Sequence, residues 1–243
     1  MEPVLINASD LTAEEISQLR SMGFEVAEQG SPEWLEERLG IPTASRFHDI
    51  IDWTAGSAPK KDGTVTTPPK PKATYYTYMN QLVAERLTGK QGRFLKTLPM
   101  QWGNQHEEQA ATIYQEITGF DVREVGFIRS EEIDAGASLD RIVDEKGCLE
   151  IKCPNTSTHV AYLEDGAPPQ YISQMQGQMW IGNKEWCDFM SYDPEMPENS
   201  QIFLRRYYRD EEFIKDMIDK ITKFIVRVDQ KEERLREFKL KES

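Results

Sequence analysis

The sequence predicts an α/β protein with a central mixed β-sheet flanked by α-helices. Helical patterns dominate the first half of the chain, strand patterns cluster after its midpoint, and a long amphipathic helix pattern closes it. Helices on both sides of a strand cluster are typical of a sheet layered against helices. A chain of 243 residues can bury a sizeable core, so we expect a single domain over residues 1–243.

The N-terminal segment predicts three short helices. A capping-box pattern at Thr12 begins the first, and a segment around Trp34 that ends at Gly40 forms the second. Thr43 or Ser45 is placed to cap the third helix.

Residues 54–72 are rich in Gly, Pro and Lys and lack apolar periodicity, so we interpret them as a mobile loop. Two longer helices follow at about 73–88 and 102–118, and each ends in Thr-Gly, a common helix stop. The second of these helices is expected to face the core with Trp102, Ala110, Ile113 and Ile117.

The strand cluster begins with VREVGFIRS and continues as a hairpin in SLDRIVDEKGCLEIKCP. A helix at about 169–181 precedes two further strands, CDFMSYDP and QIFLRRYYR. A long amphipathic helix starts at about residue 210, and its apolar stripe comprises Phe213, Ile214, Met217, Ile218, Ile221, Phe224, Ile225 and Val228. That stripe could pack within the subunit, against a neighbouring subunit or against a partner.

Three charged residues of the hairpin are the strongest functional signal. Glu150 and Lys152 alternate along one strand, so they share a face roughly 7 Å apart. The turn residues at 144–147 fold the chain back and bring Asp140 beside Glu150. Two carboxylates and an ammonium then converge, which suits a hard divalent cation and phosphodiester hydrolysis.

The same pattern in isolation is compatible with an exposed, charged hairpin, because the chain contains 42 acidic and 29 basic residues. The alternation of the charges with apolar side chains favours a half-buried strand instead, through Leu149, Ile151 and Cys153.

Composition limits the compartment and the cofactors. No stretch of about 18 apolar residues exists and the start of the chain lacks a signal pattern, so we expect a cytoplasmic protein without a membrane partner. The three cysteines contain no CxxC pair, which disfavours a disulfide framework, a zinc ribbon and a four-cysteine iron–sulfur cluster.

The hairpin resembles the core of the PD-(D/E)xK nucleases. With four further segments, the chain is similar to the lambda-type alkaline exonucleases, also called YqaJ-like viral recombinases. Those segments run in order from about residue 28 to 196 and read EQGSPEWLEERLGIPTASRFHDII, MQWGNQHEEQA, QYISQMQGQMW and SYDPEM. The resemblance implies a restriction-endonuclease-like core.

The resemblance also implies an activity. Such an enzyme is an Mg²⁺-dependent exonuclease that degrades one strand of linear duplex DNA from its 5′ end, releasing mononucleotides and leaving a 3′ overhang. It forms a ring-shaped homotrimer around the DNA and works with a single-strand annealing protein in recombination. Two Mg²⁺ ions per active site are implied, with Mn²⁺ as a possible substitute.

Matching positions carry the implied site residues. Asp140 and Glu150 would be metal ligands, with the Ile151 carbonyl completing one metal site and Glu107 contributing to a second. Lys152 would position or activate the attacking water. Read alone, Glu107 is a solvated charge on a helix face.

The 5′-phosphate pocket implied by the resemblance consists of Arg38, Ser45, Ser138 and Gln174. Arginine binds phosphate with two parallel hydrogen bonds, and hydroxyls and amides satisfy the remaining oxygens. The alternatives are a surface ion pair for Arg38, an N-cap for Ser45 and a solvated helix face for Gln174. Met100 aligns with an apolar residue that wedges into the duplex end, or else serves ordinary packing.

Three points depart from a simple nuclease interpretation. The net charge of −13 opposes nonspecific DNA binding, unless a ring encloses the DNA or a local basic channel exists. Candidates for such a channel are Lys60, Lys61, Lys70, Lys72, Lys90, Arg93 and Lys96. The segment from Trp53 onward differs from the family pattern, and Arg141 replaces a small residue, where it would contact a phosphate or shift the loop.

The alternative functions are an endonuclease of the same superfold and a non-catalytic DNA-binding scaffold.

Overall fold

The computed structural model describes residues 32–57, 67–91 and 98–238. The helix expected from Thr12 therefore lies outside the described residues. The helices of the first half are α1 (Pro32–Glu37), a 3₁₀ turn (Ala44–Arg46), α2 (Phe47–Ile51), α3 (Ala73–Thr88) and α4 (Leu98–Thr118). Gly89, with φ of +63°, ends α3 where the Thr-Gly pattern predicts a stop.

The second half alternates strands and helices. The elements are β1 (Val122–Arg123), β2 (Phe127–Arg129), β3 (Gly136–Ser138), β4 (Arg141–Val143), β5 (Gly147–Lys152), α5 (Thr156–Asp165), α6 (Pro169–Ile181), β6 (Trp186–Tyr192), a second 3₁₀ turn (Glu198–Ser200), β7 (Ile202–Tyr208) and α7 (Glu211–Arg236). The single strand expected over VREVGFIRS is two short strands in different sheets. Helix α5 was not expected, although Asn155 caps it by accepting a hydrogen bond from the Thr158 amide.

A five-stranded mixed sheet in the order β1-β4-β5-β6-β7 forms the centre, and β2 pairs with β3 in a separate two-stranded sheet. Strands β5 and β6 are parallel, and the other pairs of the main sheet are antiparallel. The expected hairpin is β4 and β5, with Arg141 opposite Leu149. This register confirms that Asp140 returns beside Glu150.

Each face of the main sheet packs against different helices. Leu149, Ile151 and Met190 pack against Ala110 and Tyr114 of α4 on one face. On the other face Cys148, Cys187 and Phe189 join the core built by α2, α3, α5, α6 and α7. The predicted α/β layering is confirmed, and β5 lies at its centre with its carboxyl end between α4 and α6.

Helix α7 packs within the subunit. Asp210 caps it by accepting a hydrogen bond from the Phe213 amide, as the start near 210 predicts. Its stripe of Ile214, Met217, Ile221, Phe224 and Val228 is buried, and Phe224 contacts Tyr75 and Tyr78 of α3. Of the three packing arrangements that the sequence left open for that stripe, the structure shows packing within the subunit.

The described ends of the predicted 54–72 loop are hydrogen-bonded to each other. The Thr54 amide donates to the Lys70 carbonyl at 2.8 Å and the Ser57 amide to the Thr67 carbonyl at 2.7 Å. Mobility stays a prediction, because residues 58–66 lie outside the described ranges. None of the helices in the described ranges combines the length and the apolar character that a bilayer crossing demands.

Candidate active site

The β4–β5 hairpin fixes Asp140 against the end of β5. The main-chain amide of Ile151 donates to Asp140 Oδ2 at 2.8 Å. Asp140 is 9% exposed and Glu150 is fully buried. The antiparallel register explains this contact, since it brings the last residue before β4 beside Glu150 and Ile151.

Glu150 is held from the α6 side. Gln174 Nε2 donates to Glu150 Oε1 and Gln178 Nε2 to Glu150 Oε2, both at 2.6 Å. Lys152 Nζ forms an ion pair with Glu150 Oε1. Gln178 Nε2 also donates to the Ser138 carbonyl at 3.0 Å, so β3, α6 and β5 are tied together at the carboxylate. A buried carboxylate with this many donors is fixed in one orientation.

Burial and the neighbouring carboxylate raise the pKa values of two acids of the site, Glu150 and Glu107. Desolvation, reinforced by the nearby Asp140 carboxylate, raises the pKa of Glu150 to about 7. The same two causes raise the pKa of Glu107 to about 7, although Arg141 opposes the shift. Neighbouring carboxylates with raised pKa values are candidates for function, because a bound cation would relieve the repulsion.

Lys152 stays a cation in this environment. Burial lowers its pKa, but the Glu150 and Asp140 carboxylates outweigh burial and hold the pKa above its ordinary value. Its Nζ lies 5.2 Å from the ring centroid of Tyr171 on α6. An ammonium held this way donates hydrogen bonds and does not accept a proton at neutral pH.

Glu107 reaches the cluster from α4, on the opposite side of the sheet from α6. Its Oε1 accepts a 3.2 Å hydrogen bond from Arg141 Nη1. Asp140 is one of the groups that raise the Glu107 pKa, so the two carboxylates are electrostatic neighbours. The sequence expectation that Glu107 joins Asp140 and Glu150 is thus consistent with where the helix places it.

The donor set fits a divalent cation in charge but does not form a closed cage. Among the described residues, no three His, Cys, Asp or Glu side chains converge closely enough to hold a metal ion as they stand. Asp140, Glu150 and Glu107 nevertheless supply hard carboxylate oxygens, the ligand type that Mg²⁺ takes. The repulsion that raises the pKa values of Glu107 and Glu150 is the feature of the structure that a cation would remove.

Two members of the predicted phosphate pocket meet. Arg38 Nη1 donates to Ser138 Oγ at 2.8 Å, and Trp34 Nε1 donates to the same hydroxyl at 3.0 Å. The Arg38 guanidinium lies 4.0 Å from the Trp34 ring centroid, and burial lowers its pKa. Arg38 is therefore a stacked, oriented cation and not the surface ion pair of the alternative interpretation.

The other predicted pocket residues are placed differently. Ser45 is exposed and its Oγ lies 3.4 Å from Thr43 Oγ1. Neither Thr43 nor Ser45 caps α2, whose N-cap residue is Arg46 without a side-chain cap. Gln174 binds Glu150 and is not a solvated residue of the helix face. Met100 falls in α4, but its side chain lies outside the described residues.

Basic residues and cysteines add little to this cluster. Lys72 pairs with Asp52 at 2.8 Å, whereas Lys70 and Lys90 are exposed. The remaining channel candidates lie outside the described residues, namely Lys60, Lys61, Arg93 and Lys96.

Burial raises the pKa of the Cys153 thiol to about 12, so this cysteine beside Lys152 is not a thiolate nucleophile.

Sequence reasoning missed two contacts at the site. Gln178 was not expected to bind Glu150, although its spacing of four residues from Gln174 places both amides on one helix face. Arg141 was expected to contact a phosphate or to displace a loop. It is instead 5% exposed and bonded to carboxylates of α4, a contact that no local pattern encodes.

Known proteins are similar to this chain in sequence and in fold. Residues 33–185 match the family described as the YqaJ-like viral recombinase domain. An alkaline exonuclease from Laribacter hongkongensis, LHK-Exo, is 36% identical, with a TM-score of 0.74 over 85% of this chain and 96% of that chain. Its complex with dAMP superimposes equally well.

A phage-related exonuclease from Haemophilus somnus 129PT shares the fold at 19% identity, with a TM-score of 0.66 over 80% of this chain and 96% of that chain. A comparison with curated protein sequences finds no match. The central mixed sheet and the helices that flank it accordingly form the nuclease fold of the alkaline exonucleases. With the matched segment running from within α1 to the residue before β6, the chain belongs to the YqaJ-like viral recombinase domain family.

Proposed function

We propose that this protein is a Mg²⁺-dependent 5′-to-3′ exonuclease that degrades one strand of linear duplex DNA to mononucleotides and leaves 3′ single-stranded overhangs. The observation that carries the proposal is the convergence of Asp140, Glu150 and Lys152 at the end of β5, with Glu107 reaching them from α4. The membership of an exonuclease-containing family supports the nuclease class.

Each residue has a role that follows from its contacts. Asp140 and Glu150 would bind one Mg²⁺ with the Ile151 carbonyl, and Glu107 would bind the second. Gln174 and Gln178 hold the Glu150 carboxylate in place through both of its oxygens. When bound, Mg²⁺ would supply the positive charge that polarises the phosphodiester and acidifies the attacking water.

Lys152 would orient the attacking water by hydrogen-bond donation. Its raised pKa keeps the Nζ protonated beside Glu150, so orientation is favoured over proton abstraction. The cation–π contact with Tyr171 restricts the direction of the ammonium further.

The Arg38–Ser138 pair supports recognition of a 5′-phosphate. A guanidinium stacked on Trp34 and bonded to a hydroxyl is oriented before a ligand arrives. The dAMP complex of LHK-Exo, a nucleoside monophosphate bound to a relative, is consistent with mononucleotide products. Ser45 and Met100 are proposed to complete the contacts to the DNA end, whereas the amide nitrogen of Gln174, predicted for the same pocket, is bonded to Glu150.

Arg38→Ala should erase the preference for 5′-phosphorylated ends. Rates on phosphorylated and hydroxyl-ended duplexes, measured side by side, report this directly. We expect the variant to lose activity mainly on the phosphorylated substrate. An equal loss on both substrates would contradict a phosphate contact for Arg38.

The assembly is proposed to be a homotrimeric ring in the cytoplasm, working with a single-strand annealing protein. A ring would hold DNA by enclosing it, which suits a net charge of −13. The 3′ overhang it produces is the substrate that an annealing protein would bind.

Linear and closed circular duplexes, each incubated with the protein and Mg²⁺, test the proposal. An exonuclease that needs an end should degrade the linear form and leave the circle intact. Cleavage of the circle would instead identify an endonuclease, and DNA binding without Mg²⁺-dependent cleavage would identify a scaffold. Mn²⁺ should replace Mg²⁺, whereas chelation should abolish cleavage.

A further inference from the structure

Arg141 links the carboxylate cluster to α4. Its guanidinium is 5% exposed and lies at the start of β4, directly after Asp140. Nη1 donates to the Asp140 carbonyl at 2.6 Å and to Glu107 Oε1 at 3.2 Å. Nη2 donates to Glu108 Oε2 at 2.5 Å and pairs with Glu124 Oε1 at 3.2 Å. One side chain thus joins the loop carrying Asp140 to the helix carrying Glu107.

The burial of these partners separates their roles. The Glu108 and Glu124 side chains are 76% and 49% exposed, so water can solvate them without Arg141. Glu107 is only 27% exposed and carries a carboxylate on a flexible side chain with Asp140 as an electrostatic neighbour. Within the described part of the chain, Arg141 is the sole hydrogen-bond partner of the Glu107 side chain. Without Arg141, repulsion from Asp140 would favour rotation of Glu107 toward solvent.

A second anchor shows that α4 is held at two points along the sheet. Tyr114 on α4 donates to Asp188 Oδ2 at 2.7 Å, and Arg206 binds both oxygens of Asp188 at 2.8 Å. This anchor fixes the helix two turns from Glu107 but leaves the Glu107 side chain free to rotate. Orientation of that carboxylate therefore depends on Arg141.

We propose that Arg141 is a positioning residue that holds the Glu107 carboxylate in the site by binding its Oε1, so that Glu107 can serve as a ligand of a divalent cation. The inference rests on the proposed function, because it assigns Arg141 to the same metal site. Outer partners of ligating carboxylates orient them, and their loss typically weakens metal affinity about 10- to 100-fold. Arg141 would act through Glu107 and would not touch the cation or the DNA.

Calorimetric titration with Mn²⁺, in the absence of DNA, tests the proposal without relying on activity. Arg141→Gln keeps a polar side chain of similar length but loses the charge and the forked geometry. We expect it to raise the Mn²⁺ dissociation constant of one site by about 10- to 100-fold, as Glu107→Gln should. The double variant should be no weaker than Glu107→Gln alone, because both changes remove the same ligand.

Two further variants control for folding. Arg206→Gln removes the arginine of the other anchor and should leave Mn²⁺ binding unchanged. Arg141→Lys keeps the charge but cannot reach all four acceptors, so we expect it to weaken Mn²⁺ binding less than Arg141→Gln does. It also tests the proposal if Arg141→Gln fails to fold. Thermal melts without metal show which variants are folded.

The outcomes separate this inference from the function on which it rests. Unchanged or tighter Mn²⁺ binding in the folded Arg141 variants would overturn the positioning role, as would fully additive losses in the double variant. If the unmodified protein binds no Mn²⁺, or binds it equally well after Asp140→Asn, the proposed metal site itself fails.

Discussion

Lys152 is the residue to which the proposed function assigns the attacking water. It pairs with a fully buried Glu150, lies over Tyr171 and stays protonated. Lys152→Ala should lower the cleavage rate by about 10²–10³-fold, the usual loss when an oriented donor to a reacting group is removed. DNA binding, measured with Ca²⁺ in place of Mg²⁺, should change little.

Lys184→Ala is the matched control for that substitution. Lys184 is also buried, but its Nζ donates to the Glu145 carbonyl beyond the opposite end of β5. We expect this variant to lose stability and to keep its turnover once folded. Equal losses of turnover in the two lysine variants would argue that Lys152 is structural.

The acids of the site make stability depend on pH. Folding raises the pKa values of Glu107 and Glu150 from 4.5 to about 7, so the folded protein binds their protons more tightly than the unfolded chain does. The free energy of unfolding without metal should therefore fall as pH rises from about 4.5 to 7 and then level off. Deprotonation frees the ligands, so stabilisation by Mg²⁺ should grow over the same range.

Thermal melts at a series of pH values, with chelator and with Mg²⁺, measure both trends. The net charge of −13 adds a general repulsion at high pH. The Glu107→Gln/Glu150→Gln double variant separates the two effects, since it should flatten the pH dependence between about 4.5 and 7 and abolish the Mg²⁺ response. An unaltered slope in that variant would refute the assignment.

At the scale of elements, Gly177 sets the distance between α6 and the first helices. A Cβ there would lie 2.6 Å from Phe47 Cδ2 and 3.1 Å from Ala44 Cβ. Gly177→Ala gains about 1 kcal/mol of helix propensity. Overpacking costs about 1–3 kcal/mol, so we expect a net destabilisation of up to about 2 kcal/mol in urea unfolding.

The same substitution should reduce cleavage, because Gln174 and Gln178 flank Gly177 and orient Glu150. Adding Phe47→Leu removes the ring atoms nearest to the new methyl group. The double variant should then be more stable than the sum of the two single changes predicts. A Gly177→Ala protein more stable than the parent would show that the helices separate without cost.

Elements encoded by local chemistry could be predicted. The β4–β5 hairpin follows from its turn and its alternating pattern, and α3, α6 and α7 follow from their stops, caps and apolar stripes. Ile117, expected in the core, is 56% exposed, because it lies on the last turn of α4, beyond the packed residues Ala110 and Tyr114.

Contacts between distant elements could not be predicted from local patterns. The split of VREVGFIRS into β1 and β2 depends on pairing with β4 and β3, which only the folded chain provides. The Arg141 ion pairs join residues 33 and 34 positions apart, and the Gln178–Glu150 bond joins residues 28 apart. The Asp140–Glu150–Lys152 cluster could be predicted because the hairpin is local in sequence.

At the scale of the whole molecule, the proposed function requires a chain with a net charge of −13 to bind DNA, which is also negatively charged. If enclosure replaces surface charge, the protein should be a ring, and light scattering should give three times the subunit mass of 28.1 kDa. Exonuclease digestion should then proceed from ends only. A monomer that remains fully active would require a basic groove instead, and its activity would fall steeply with added salt.

The most direct test of the account is a crystal structure of the protein grown with Mn²⁺ and measured at a wavelength where manganese scatters anomalously. We predict one peak bonded to the Asp140 and Glu150 carboxylates and the Ile151 carbonyl, and a second bonded to Glu107. A protein that cleaves linear DNA with Mn²⁺ but shows no anomalous peak at these residues would contradict the account.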